Sequence, residues 1–133
     1  MTRILIADDH EVVRQGIRMM LQVRPDWEIC GEAKDGREAI HIAKELGPDV
    51  IILDVSMPVV GGLAAADDIL RTNPEIKILI FTMHESKSLR MLVRRCGASG
   101  IVVKSQASRD LVEAMDQLLA GNKFFHAVED AYL

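Results

Sequence analysis

Side chains suited to metal and phosphorus chemistry stand directly after apolar runs along this chain. Asp8 and Asp9 follow Ile4-Leu5-Ile6-Ala7, Asp54 closes Val50-Ile51-Ile52-Leu53, Thr82 follows Ile76 to Phe81, and Lys104 follows Gly100 to Val103. Ionised carboxylates sharing one small space repel. A pair about 4 Å apart costs roughly 4 kcal/mol at an effective dielectric of 20, a sizeable share of a domain's stability. A cation offsets that repulsion. All-oxygen ligands at a partly open position favour a hard ion, and Mg²⁺, which keeps waters and bridges to phosphate, suits them better than a caged Ca²⁺. A carboxylate is also a nucleophile toward phosphorus. Phosphoryl transfer depends mainly on positioning and on neutralising the equatorial oxygens, for which a metal ion, a lysine and a hydroxyl suffice.

Taken singly, each residue has a plainer role. Asp8-Asp9 ahead of a helix suits an N-cap and its dipole partner, and Asp54 suits a strand's exit into a turn. Thr82 alone reads as a strand-end hydroxyl and Lys104 as a solvated tip. The functional reading rests on all of them falling at strand ends that the fold brings together. His10 could extend the acidic set as a metal ligand, but a histidine in the first turn of a helix is more often exposed or satisfied locally, so it is left out of the expected site.

The elements that must position these groups are legible from periodicity. Apolar, β-branched runs at Ile4-Leu5-Ile6, Trp27 to Ala33, Val50 to Leu53, Ile76 to Phe81 and Gly100 to Val103 read as strands. All but the second lack the alternation of a half-wetted strand, so both faces of the sheet are expected to be covered, and the second suits an edge. Between and after them, apolar residues return at helical spacing: Val13, Ile17, Met20 and Leu21; Ala39, Ile40, Ala43 and Leu46; Leu63, Ala66, Ile69 and Leu70. Later stripes are Leu89, Leu92, Val93 and Cys96, then Leu111, Val112, Met115, Leu118 and Leu119. Asp35 and Ser108 are expected to cap helix starts, and Gly47-Pro48, Asn73-Pro74, Gly97 and Gly121 fit helix ends. Met19, Met20, Met91 and Met115 read as packing, and Lys87, Arg90, Arg94 and Arg95 as a solvated basic face.

This βα string predicts an α/β fold, a doubly wound five-stranded parallel sheet with the flavodoxin-like order 2-1-3-4-5. In such sheets the ligand crevice lies beyond the strands' carboxyl ends, where strand order reverses. Between the first and third strands, that point gathers Asp8, Asp9 and Asp54.

Composition narrows the function classes. The chain has 133 residues, 49% hydrophobic and 27% charged, enough for one core and too short for two full domains. Its 16 Lys and Arg against 20 Asp and Glu leave a net charge of −4, which works against binding a phosphate backbone. Cys30 and Cys96 are far apart and make neither a zinc set nor a C-x-x-C, so reduced, buried thiols are expected. No signal-peptide core or membrane-length apolar stretch is present, and a cytoplasmic location is the expectation.

The segments Ile4-Leu5-Ile6-Ala7-Asp8-Asp9-His10, Ile51 to Pro58 with Gly61-Gly62, Thr82-Met83-His84 and Gly97 to Lys104 resemble the receiver domain of two-component response regulators. The likeness covers about residues 3 to 120, and its wording is most similar to the NarL/FixJ (LuxR-type) group. It implies that Asp54 accepts a phosphoryl group from a sensor histidine kinase or a small donor such as acetyl phosphate, with Mg²⁺ as cofactor. By the same implication Asp9 and Asp54 ligate the metal directly, Asp8 acts through water and the Ser56 main-chain carbonyl completes the set. Lys104 and Thr82 would hold phosphoryl oxygens. A homodimer on phosphorylation is implied as possible, and DNA is contacted only through an output domain absent from this sequence. Residues 1–120 are then the receiver, a switch and not a turnover enzyme, and residues 121–133 a tail or truncated linker in which Phe124, Phe125, Tyr132 and Leu133 form no clear element.

Two departures stand out. Ile101 occupies the place where many relatives have Tyr or Phe, which puts an aromatic rotamer switch in doubt. Ser105 follows Lys104 where many have a proline, and a cis bond before a non-proline residue costs about 3 kcal/mol. Other classes weighed are an unphosphorylated docking module with the same fold and a Mg²⁺-dependent phosphohydrolase, which would want a D-x-D loop and a substrate cap. A flavin module is disfavoured by the acidic groups Asp8, Asp9 and Glu11 where its phosphate loop would lie.

Overall fold

The computed structural model describes residues 1–125. The elements follow in strict alternation: β1 (Thr2–Ala7), α1 (Glu11–Leu21), β2 (Trp27–Ala33), α2 (Gly36–Leu46), β3 (Val50–Asp54), α3 (Gly62–Thr72), β4 (Lys77–Thr82), α4 (Lys87–Cys96), β5 (Gly100–Val103) and α5 (Ala107–Leu119). A single 3₁₀ turn, Lys104–Gln106, joins β5 to α5. All strand pairings are parallel, and the sheet order is β2-β1-β3-β4-β5, as the sequence pattern predicts.

The central strands are apolar throughout because helices cover both faces. On one face Leu5, Ile51, Leu53, Ile78, Ile80 and Ile101 pack with Ala39 and Ala43 of α2, Ala65, Ala66 and Ile69 of α3, and Val93 of α4. On the other, Ile4, Ile6, Val50, Ile52, Leu79, Phe81 and Val102 pack with Ile17 and Leu21 of α1 and with Leu111, Ala114, Met115 and Leu118 of α5. Alternate residues along each strand serve alternate layers, the period-2 geometry of a strand. Each large side chain so buried contributes about 1.5–3 kcal/mol of transfer free energy. The edge strand β2 is mostly half-exposed, which matches its stronger alternation.

Register delivers the site residues to one rim. Ala7 pairs with Leu53, Asp54 with Phe81 and Thr82 with Val103, so β1, β3, β4 and β5 end together. Each helix that follows starts at that rim. Asp35 caps α2 by accepting from the Glu38 N–H at 2.8 Å, and Ser86 caps α4 by accepting from the Leu89 N–H at 3.0 Å. Gly62 must be glycine for packing: a Cβ there would lie 2.2 Å from the Asp54 carbonyl oxygen.

Several expectations need correction. Ser108 does not cap α5; the helix begins at Ala107, preceded by Gln106 with no side-chain cap. Arg90 is not on a solvated face, being 3% exposed, whereas Leu92 from the expected apolar stripe is 47% exposed. Burial at these positions of α4 follows an ion pair, described below, and not the apolar count. Met19 and Met91 are exposed, while Met115 is fully buried. Part of the tail is ordered against the sheet: Phe124 N–H donates to the Ser99 carbonyl at 2.9 Å and Ile101 N–H donates to the Phe124 carbonyl at 3.0 Å. This parallel bridge to Gly100 continues the sheet beyond β5, and a Cβ on Gly100 would come within 2.7 Å of the Phe124 carbonyl oxygen. Tyr132 and Leu133 lie outside the described residues.

Cys30 and Cys96 are free and half-buried, and burial pushes both thiols up from their ordinary pKa. No cis peptide bond and no helix long and apolar enough to cross a membrane occur among the described residues.

Candidate functional site

Asp54 is the last residue of β3, and its side chain is almost fully enclosed because the strand ends between β1 and β4 inside the sheet. Oδ1 accepts from the Ser56 N–H at 3.3 Å and lies 3.3 Å from Lys104 Nζ, while Oδ2 is buried without a hydrogen-bond partner. Asp8, one residue past β1, is equally buried. Its Oδ1 accepts from the His10 N–H at 2.9 Å. Its Oδ2 stands 2.9 Å from Lys104 Nζ, an ionic contact without an aligned hydrogen bond. One ammonium therefore bridges two buried carboxylates, a compact charge arrangement that neither strand end would hold alone.

The electrostatics follow from this crowding. Removal from water, and then the neighbouring Asp8 carboxylate, push Asp54 above the ordinary aspartate range, against the opposing pull of Lys104 and the Ser56 N–H. Burial works to lower Lys104, but the two carboxylates outweigh it and hold the ammonium above its ordinary value. Both observations describe an anionic cavity short of positive charge.

Asp9 sits at the rim, more exposed than Asp8 and Asp54, with Oδ1 3.1 Å from His10 Nδ1. Ligating atoms of Asp8, Asp9, His10 and Asp54 all lie within 4.8 Å of one another. A divalent ion fits this donor set: the oxygens are hard, three carboxylates contribute, and a buried one is left unpartnered. Beside them opens a pocket of about 300 Å³ lined by His10, Asp54, Ser56, Thr82, His84 and Lys104, among others. Thr82 ends β4 with its hydroxyl donating to the His84 carbonyl at 3.1 Å, so the loop after β4 holds that proton along its own backbone.

Asp8, Asp54 and Lys104 thus meet in direct ionic contact, Asp9 joins at the rim, and Thr82 and Ser56 line the same hollow. Two groups escaped the sequence reading. His10 was set aside, yet its ring stands against both aspartates; the signal was its place directly after them. The loop after Thr82 also carries a buried pair, Glu85 Oε2 with Arg90 Nη1 at 3.1 Å, their side chains 2% and 4% exposed, with Glu85 Oε1 unpartnered. A charge in the first turn of a helical stripe gave no sign of it. Of the departures noted in sequence, Ile101 is fully buried in the core and Ser105 lies within the 3₁₀ turn.

Comparison with known proteins agrees with this geometry. The family model described as response regulator receiver domain matches residues 4–116. Response regulator GacA of Pseudomonas aeruginosa is 36% identical over 124 residues, covering 93% of this chain and 58% of the relative. A LuxR-family two-component response regulator from Aurantimonas sp. SI85-9A1 superposes with a TM-score of 0.88 at 37% identity, covering 92% of this chain and 87% of that one. The isolated receiver of RcsB from Salmonella enterica serovar Typhimurium, solved in the presence of the phosphomimetic BeF₃⁻, gives 0.86 at 32% identity, with 94% and 93% covered. The chain spans about half the length of the curated relatives it matches, 52% of DegU from Brevibacillus brevis and 58% of GacA. With strand order, carboxyl-end acids and matched sequence all in agreement, this chain belongs to the response regulator receiver domain family.

Proposed function

We propose that Asp54 is a phosphoryl acceptor and that the chain works as a switch and not as a turnover enzyme. The observation that carries this is Asp54 itself: buried, facing Lys104, and left with an unpartnered oxygen beside a pocket of about 300 Å³. An Asp54 oxygen attacks phosphorus, the bond from phosphorus to its donor breaks, and the electron pair leaves with the donor, the imidazole of a sensor histidine kinase or, from acetyl phosphate, acetate. Lys104 supplies fixed positive charge to the transferred oxygens. Thr82 exchanges the His84 carbonyl for a phosphoryl oxygen as its hydroxyl acceptor. Mg²⁺ held by Asp8, Asp9, Asp54 and the Ser56 main-chain carbonyl would neutralise charge on the carboxylates and on the incoming group.

The product is an aspartyl phosphate, a dianion with new acceptor oxygens where a single carboxylate stood. Drawing Thr82 toward it moves the loop that leads into α4. The receiver unit is residues 1–120, followed by the tail at 121–133, and the output is transcriptional control through a separate DNA-binding domain. Phosphorylation-dependent homodimerisation and a cytoplasmic setting belong to the same reading. The similarity to GacA and to the RcsB receiver solved with BeF₃⁻ supports it.

The test is incubation with acetyl phosphate and Mg²⁺, followed by intact mass and by acid and base lability. Wild type should gain one acid-stable, base-labile phosphoryl group, Asp54→Asn none, and chelation of Mg²⁺ should abolish the gain. Undiminished labelling of Asp54→Asn would refute the assignment. An unlabelled wild type would leave a docking module as the function.

A further inference from the structure

Receiver chemistry as proposed above leaves the imidazole of His10 unused, although it lines the acidic pocket. Although its side chain is 66% exposed, its ring is not turned away from the site. Nδ1 lies 3.2 Å from Asp8 Oδ1 and 3.1 Å from Asp9 Oδ1, and the main-chain N–H anchors the residue by donating to Asp8 Oδ1 at 2.9 Å. In the tautomer that leaves the lone pair on Nδ1, this nitrogen and the two carboxylate oxygens converge on one small space suited to a positive centre. Independently, Asp54 Oδ2, in a side chain 3% exposed, has no hydrogen-bond partner, and His10 and Asp54 line the same pocket. The ligating atoms of all four residues span no more than 4.8 Å.

We propose that His10 Nδ1 is a metal ligand and that the pocket is a mixed nitrogen–oxygen site, taking a first-row divalent transition-metal ion in competition with Mg²⁺. The chemistry decides the direction of the preference. Mg²⁺ is a hard ion that holds water and carboxylate oxygen and gains little from imidazole, whereas Co²⁺, Ni²⁺ and Zn²⁺ bind imidazole nitrogen well. Asp9 and His10 are adjacent, and Asp8 fixes the backbone of the turn between them, so three consecutive residues offer donors without a change of fold.

This inference rests on the acidic pocket being a metal site, and the experiment separates the two claims. Unphosphorylated wild type, His10→Ala, His10→Asn and Asp54→Asn are titrated at one pH with Co²⁺ and with Mg²⁺ by calorimetry, with the visible absorption of Co²⁺ as a second readout of nitrogen ligation. No side-chain cap of α1 is lost on replacing His10, since it makes none. In both His10 variants Co²⁺ affinity should fall about tenfold or more and the visible bands should change, while Mg²⁺ affinity stays within about twofold. Asp54→Asn should weaken both ions. Unchanged Co²⁺ affinity and spectrum in the His10 variants, or equal losses for Co²⁺ and Mg²⁺, would overturn the role of His10 while leaving the metal site in place. Failure of both ions to bind wild type would overturn the metal site itself.

Discussion

The two ends of the parallel sheet are made from the same strands, yet they treat charge in opposite ways. At the amino end the hollow is the larger one, about 440 Å³ lined by Thr2, Asp49, Asn73, Glu75 and Lys77 among others, against about 300 Å³ at the carboxyl end. Its charged groups stay at least partly exposed, and Asp49 and Arg3 find backbone partners. Asp49 accepts from the Arg3 N–H at 2.8 Å, and the Arg3 guanidinium donates to the carbonyls of Leu46 and Gly47 at the end of α2. A cation there meets the helix's unpaired carbonyls and its negative end. At the carboxyl end Asp8 and Asp54 are buried with only Lys104 between them, and an oxygen of Asp54 is left over. Volume therefore does not mark the site. Buried charge that the protein leaves incompletely satisfied does, and that deficit is what a metal ion and a phosphoryl group can fill.

Removing the bridging cation should break this contrast most strongly. Lys104→Met leaves two enclosed carboxylates facing each other and should lower unfolding stability by about 2 kcal/mol without divalent ions. Saturating Mg²⁺ should restore much of the loss, because an ion bound only by the folded state stabilises it. Urea unfolding with and without Mg²⁺ measures both, and a change unaffected by the ion would contradict a shared anionic cavity.

Asp54→Asn sharpens the comparison in the opposite sense, since it should stabilise the protein. With its pKa raised in the folded state, Asp54 favours folding fully only below its unfolded pKa, about pH 4, and that contribution is lost as pH rises through the folded value. At pH 7 the ionised group is a liability. Neutralising it should add about 1 kcal/mol, seen as a rise of several degrees in Tm, and the gain should fade as pH falls toward 4. A variant less stable than wild type at pH 7 would mean that the Lys104 pairing outweighs burial and repulsion.

Asp49→Ala, at the amino end, supplies the smallest effect. It removes the acceptor of the Arg3 N–H at an exposed position and should cost about 0.5–1 kcal/mol. The shift of Tm produced by Mg²⁺ should be unchanged. A reduced shift would show that the two ends are coupled.

Much of this was legible in the chain, for identifiable reasons. A strand covered on both faces must be apolar at consecutive positions, so its end shows as an abrupt change to Asp54, Thr82 or Lys104. Parallel crossovers then dictate which ends adjoin. The misreadings share a cause as well. Arg90 was judged by its charge, but Glu85 on the preceding loop turns that helical position into a buried one. Ser108 was chosen by residue type, whereas α5 begins without a side-chain cap. Phe124 joins β5 through a bridge too short to leave any periodicity. A histidine in a first helical turn is usually satisfied locally, and only the turn out of β1 sets the His10 ring against Asp8 and Asp9.

By itself, the order of apolar and polar residues determined the elements and the strand ends at which the acids emerge, because hydrophobic periodicity is a local property; the sheet order followed only as the leading choice for such a βα string. Tertiary structure alone decided that Lys104 would bridge Asp8 and Asp54, that an Asp54 oxygen would be buried without a hydrogen-bond partner, and that Arg90 would be enclosed. Those outcomes depend on how much water each group loses and which charges replace it, and both are set by residues distant in sequence.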